Sequence, residues 1–222
     1  MRDPVVAIST GLPRPQWRGR IHTWAFYAAV PATIWLLLTA DTDRDPNARV
    51  GALVFGLSLI ALYGVSAAYH RLARRALAQR LMQRLDHSMI FVLIAGTYTP
   101  VCLAALPSPW SRLLLVSIWV LALVGILTKA WGTPWLLSVS NAMYPVLGWL
   151  AVLALPLFIR TVAGPPLALM GVGGLLYSIG ALVFLFRFPD PIPHVFGYHE
   201  VWHSFTVLAG TSHFAMVALI VT

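Results

Sequence analysis

The chain has 222 residues, of which 59% are hydrophobic and 10% charged, with a mean hydropathy of +0.79; soluble domains carry about 25% charged residues, so a soluble globular class is excluded. At about 20 residues per spanning helix, one membrane domain covering residues 1–222 takes up nearly the whole length, and no separate soluble domain fits. The net charge of +8 does not point to nucleic acid, because the basic residues fall in short segments between apolar runs, where they set membrane orientation, and the single Cys102 excludes an intramolecular disulfide and a cysteine-rich metal site.

Residues 1–20 contain Arg2, Arg14, Arg18 and Arg20 but no short apolar core with a small-residue cleavage site, so the first span is expected to be retained. Stretches free of Asp, Glu, Lys and Arg then run over 21–40, 51–69, 87–111, 113–128, 130–159, 161–186 and 201–222. These predict seven spans in an all-α polytopic membrane bundle. A β-barrel is excluded because the apolar runs are continuous rather than alternating. The fourth stretch is short, and Trp110 and Lys129 at its ends extend it as interfacial anchors. Pro31, Pro100 and Pro145 lie inside spans and read as kinks; Pro165 and Pro166 suit a first helical turn, and Pro189, Pro191 and Pro193 break the chain before the last span. With the N-terminus inside, eleven Lys and Arg fall on the cytoplasmic side and four on the other. The expectation is a cell-membrane protein with a cytoplasmic N-terminus and, the number of spans being odd, an external C-terminus.

The last span opens with His199-Glu200-Val201-Trp202-His203. Residues four apart share a helix face, so His199 and His203 present adjacent imidazoles, the spacing a metal uses. Zinc needs a third protein ligand and a fourth position. The alternation of spans brings His70, at the end of span two, and Asp86, opening span three, to the same depth, with Ser66 one turn deeper than His70. The expected site is zinc held by His70, His199 and His203, with Asp86 and Ser66 positioning water or substrate.

Each residue also has a plainer reading. Asp86 precedes an apolar run and could cap span three; Ser66 could bond its own backbone; His70 could be an interfacial histidine. Glu200 completes an H-E-x-x-H pattern, in which it would be the general base of an intramembrane metalloprotease, or it is an acidic residue in a first turn, stabilised by the helix dipole. His213 is about 15 Å beyond His203 on another face, and His22, His87 and His194 read as interfacial. Asn141, Tyr144, Thr97, Tyr98 and Thr99 read as packing groups, with cavity lining as the alternative. Haem between His70 and a histidine of span seven would use the same residues.

Ser66-Ala67-Ala68-Tyr69-His70, Leu85-Asp86-His87-Ser88 leading to Ala95-Gly96-Thr97-Tyr98-Thr99-Pro100, and His199-Glu200-Val201-Trp202-His203 followed by Leu208-Ala209-Gly210 and His213-Phe214 resemble the bacterial hemolysin III branch of the progestin and adipoQ receptor family. The resemblance covers nearly the whole chain. It implies a seven-helix bundle with zinc near the cytoplasmic side, bound by His70, His199 and His203, and a polar site completed by Asp86 and Ser66. Through the ceramidases of the wider superfamily it implies hydrolysis of a lipid amide, with membrane lipid as substrate. The hemolysin name implies instead a membrane-perturbing or pore-like activity around a structural zinc.

Overall fold

The computed structural model describes residues 15–162 and 164–222. Its helices are α1 (Arg20–Thr39), α2 (Ala48–Leu72), α3 (Ala76–Ala105), α4 (Trp110–Trp131), α5 (Pro134–Leu153), α6 (Leu155–Thr161), α7 (Pro165–Phe186) and α8 (Tyr198–Val221). All but the seven-residue α6 are long and apolar enough to cross a membrane, which makes the seven expected spans real helices. Arg2 and Arg14, counted above among the orienting charges, lie outside the described residues.

Helix ends follow from local chemistry. Gly132 stops α4 in the left-handed conformation at φ +72°, and Pro165 opens α7 at a position where its missing N–H costs nothing. Pro31, Pro100 and Pro145 remain inside α1, α3 and α5. The expected fifth span, 130–159, is divided: α5 ends at Leu153, and Pro156 has no N–H with which to bond the Val152 carbonyl.

Two expectations about boundaries are corrected. Helix α3 begins at Ala76, ten residues before Asp86, so Asp86 is an interior residue and does not cap the span. The segment between is rich in Ala, Leu, Gln, Met and Arg, all strong helix formers, and the helix continues past the point where charge appears. Lys129 is not a surface anchor of α4 but is 2% exposed, packed inside the bundle.

Successive helices pack as neighbours from α1 to α5, and α7 packs on α8, which turns back against α1, α2 and α3. The first three helices and the last therefore enclose one interior, where Leu36, Phe55, Met216 and Val217 are fully buried. Lipid is as apolar as these side chains, so association depends on close approach and interhelical hydrogen bonds. A Cβ at Gly96 of α3 would collide with Ser58 of α2. Trp119 Nε1 donates to Thr99 Oγ1 at 3.1 Å, and the Tyr98 hydroxyl donates to the Leu147 carbonyl at 3.1 Å, joining α3 to α4 and α5. Thr97 and Thr99 also bond back to Leu93 and Ala95, so this group packs helices. Large apolar side chains such as Leu38, Leu153 and Leu185 face outward, as lipid solvation allows.

This topology gathers the starts of α1, α3, α5 and α8 and the ends of α2, α4 and α7 at one end of the bundle. The polar residues of interest are concentrated there.

Candidate metal centre

His70 lies in the last turn of α2, and His199 and His203 lie in the first two turns of α8. Each offers a ring nitrogen within 4.8 Å of the other two. The Nε2 atoms of His70 and His199 are 3.3 Å apart. Two nitrogens bonded to zinc at 2.0–2.1 Å with a tetrahedral angle are separated by about 3.3–3.4 Å, so this pair already has the spacing of one edge of the coordination tetrahedron. His203 completes the triangle, its ring centroid 5.1 Å from His70 and 4.6 Å from His199. His70 and His203 are both 4% exposed, in an interior where water has little access. The donor set, three imidazoles and no thiolate, suits zinc with one position left open.

Ser66, one turn before His70 and 2% exposed, lies within side-chain reach of the Asp86 carboxyl of α3. The expected pair is therefore brought near each other across two helices. Because Ser66 and His70 share a face of α2 about 6 Å apart, this pair stands beside the imidazoles.

Two residues that complete the surroundings were not singled out from the sequence. Arg18 forms an ion pair through Nε with Glu200 Oε1, and Glu200 is 1% exposed. The other carboxylate oxygen of Glu200 accepts the Gly197 N–H at 2.9 Å, which fixes the start of α8. Glu200 is thus committed to Arg18 and to its own helix terminus. That agrees with the first-turn reading, each carboxylate oxygen already carrying one partner. The segment carrying Arg18 is held against the loop before α8, where Gln16 and Trp17 donate to the carbonyls of His194 and Val195 at 3.2 and 3.1 Å. Gly19, at φ +78°, passes so close to His70 that a Cβ there would lie 2.7 Å from the His70 Cβ.

His22 is the second. Read as interfacial, it is 4% exposed and stacks on His203 with ring centroids 3.9 Å apart and planes 13° apart. The Thr206 hydroxyl donates to the His203 carbonyl at 2.8 Å, so His22 Nε2, 2.9 Å from that hydroxyl, is assigned as donor to it. His22 fixes the plane of the His203 ring. Nothing in the sequence marks it, since an isolated histidine two residues into a span looks like a boundary residue until packing turns it inward.

The remaining histidines lie elsewhere. His213 faces α7, with Nε2 3.4 Å from the Met170 carbonyl, and takes no part in the cluster. His87 lies on α3 toward α4 and α5, where the Tyr144 hydroxyl donates to its carbonyl at 2.9 Å. His194 sits in the loop before α8.

The model of the family described as "Haemolysin-III related" matches residues 10–214. The chain is similar to the hemolysin-3 homolog of Bacillus subtilis (strain 168), 34% identical over 191 residues that make up 86% of each chain. It is 35% identical over 184 residues to hemolysin-3 of Bacillus cereus, covering 83% of this chain and 80% of that one. The human monocyte to macrophage differentiation factor matches more distantly, 25% identical over 197 residues, 87% of this chain and 79% of the relative. A seven-helix membrane bundle with this motif set, matched along nearly its full length, belongs to the haemolysin-III-related family, part of the progestin and adipoQ receptor family.

Proposed function

We propose that the protein is a zinc-dependent hydrolase of membrane lipid amides, resembling a ceramidase, with His70, His199 and His203 as the metal ligands. The observation that carries this reading is the convergence of three imidazoles from two helices, His70 and His199 being 129 residues apart in sequence, with Asp86 and Ser66 near each other at the same end. Zinc bound there would polarise a carbonyl and make water acidic enough to attack near neutral pH. Asp86, as carboxylate, takes the proton that water loses as its oxygen bonds to the carbonyl carbon. The carbon–nitrogen bond then breaks, and the same proton passes to the amine, leaving a carboxylic acid and an amine. Ser66 holds the carboxylate in the orientation this transfer needs. Enclosure by α1, α2, α3 and α8 limits access of bulk water, and the substrate reaches the site laterally from the membrane.

The same reading places the protein in the cell membrane with its N-terminus and the site end of the bundle toward the cytoplasm. Arg71, Arg74, Arg75, Arg80 and Arg84 cluster at that end, as the positive-inside rule requires.

The test is elemental analysis of purified protein beside a hydrolysis assay on ceramide in proteoliposomes. One zinc per chain and release of fatty acid, both lost in His70→Ala and His203→Ala, is the expected result; a metal-free protein, or full turnover in either variant, would remove the proposal. The relatives named hemolysin-3 favour a second reading, in which zinc only ties α2 to α8 and the protein perturbs membranes. Leakage of a trapped solute without hydrolysis of any lipid would select it.

A further inference from the structure

A second polar site lies at the same end of the bundle, on the far side of α3. It is a cavity of about 260 Å³ between α3, α4 and α5, lined among others by Arg80, Gln83, Arg84, His87, Lys129 and Asn141. The lining contains two arginines, a lysine and no carboxylate. We propose that this cavity binds a phosphate group, carried either by a lipid headgroup or by free phosphate.

Lys129 is the decisive residue. It is 2% exposed, and its Nζ donates to Asn141 Oδ1 at 2.6 Å and lies 5.3 Å from the centre of the Tyr144 ring. No carboxylate partners it among the described residues. A buried ammonium in an apolar bundle is costly unless an anion answers it, and a carbonyl oxygen and a ring face answer it only in part. An ammonium has three N–H donors, so donors remain for a ligand.

The arginines are arranged for the same purpose. Arg84 Nη1 donates to the Ala130 carbonyl at 3.1 Å, and its guanidinium packs against Gly132, where a Cβ would collide with it. That anchorage holds the fork in place and leaves most of its five donors unused. Arg80 and Gln83 are exposed at the mouth, above the buried lysine. A carboxylate would supply one negative charge against three cations, whereas a phosphate monoester supplies about 1.5 to 2.

Size and depth agree with a headgroup. Pockets for whole drug-sized ligands occupy about 300–1,000 Å³, and this cavity falls below that range. Trp131 and Trp135, 78% and 71% exposed, flank it at the end of α4 and the start of α5. Exposed tryptophans at helix ends mark the headgroup level of a bilayer.

The experiment uses the purified full chain in neutral detergent micelles, titrated calorimetrically with inorganic phosphate and, separately, with dioctanoyl phosphatidic acid. Saturable one-to-one binding is expected, weakened at least tenfold in Arg80→Gln and in Lys129→Met and unchanged in Arg71→Gln, an arginine at the same end but outside the cavity. Arg80 is exposed, so its variant folds even where the buried substitution does not. Saturation by phosphatidic acid with no competition from inorganic phosphate assigns the ligand to the lipid. Equal affinity for both assigns it to the free ion. Absence of saturation by either probe, or binding in Arg80→Gln equal to wild type, or an equal loss in Arg71→Gln showing diffuse surface attraction, would overturn the proposal. None of these readouts involves zinc, so this site and the hydrolase reading fail independently.

Discussion

Two groups of nitrogen-bearing side chains sit at one end of the bundle, on either side of α3, and their arrangements are opposite. In the first, His70, His199 and His203 aim their rings at one another until two nitrogens are 3.3 Å apart. In the second, Arg80, Arg84 and Lys129 line a space of about 260 Å³ with no carboxylate among them. Lone pairs converging on a point suit a cation, while donors spread around a volume suit an anion. The same element, nitrogen, in the same apolar surroundings suits opposite ligands because imidazole offers a lone pair and guanidinium offers only N–H donors.

The contrast can be broken at the first cluster. Substituting His203 by Ala should reduce bound zinc from one per chain to background and abolish hydrolysis, while phosphate binding at the second cluster stays at the wild-type value. Elemental analysis and calorimetry on the same preparation check both halves, and loss of both would show that the clusters are one structural unit. Asp86→Asn sharpens the distinction within the first cluster. Zinc should remain, and the rate of ceramide cleavage should fall about 10²–10⁴-fold, the usual range for a lost general base; an unchanged rate would remove Asp86 from the chemistry.

Arg18→Gln tests the support of the metal site. It leaves Glu200 buried without a counter-charge, which costs about 3 kcal/mol, toward the lower end of the range for a broken buried pair because Arg18 is partly exposed. A lowered midpoint of thermal unfolding should appear, with zinc lost at a lower temperature than in wild type. The smallest effect is expected from His22→Phe, which keeps an aromatic plane against His203 but removes the hydrogen bond to Thr206. Zinc affinity should drop about tenfold, the lower end for outer partners of metal ligands. A competition titration with a chelator measures it, and no change would mean that stacking alone orients the ring.

The spans and the triad were legible in the sequence for the same reason. Runs without charge show where lipid is, and counting spans brings the end of one and the start of another to a common depth. The i, i+4 spacing of His199 and His203 did the rest. Charge, however, marks where the lipid ends and not where the helix ends. Asp86 therefore looked like an opening residue of its span, although α3 has already run for ten residues. The same habit of reading hid Arg18 and Lys129, which resemble boundary charges in sequence but are turned inward by packing against Glu200 and Asn141. His22 was invisible because its partners, His203 and Thr206, are more than 180 positions away. One-dimensional patterns report depth well and say little about which way around a helix a lone polar side chain turns.

The ion-pair staple between Arg18 and Glu200 has a developmental consequence. During synthesis Arg18 emerges ahead of α1 and Glu200 only with α8, so the two charges wait for each other across 182 positions of chain. Until α8 threads into place, Arg18 lacks its anion and His70 lacks the two imidazoles that converge on it. On the zinc reading proposed above, metal capture would act as an assembly checkpoint, because only a molecule in which α2 and α8 have met could load the ion.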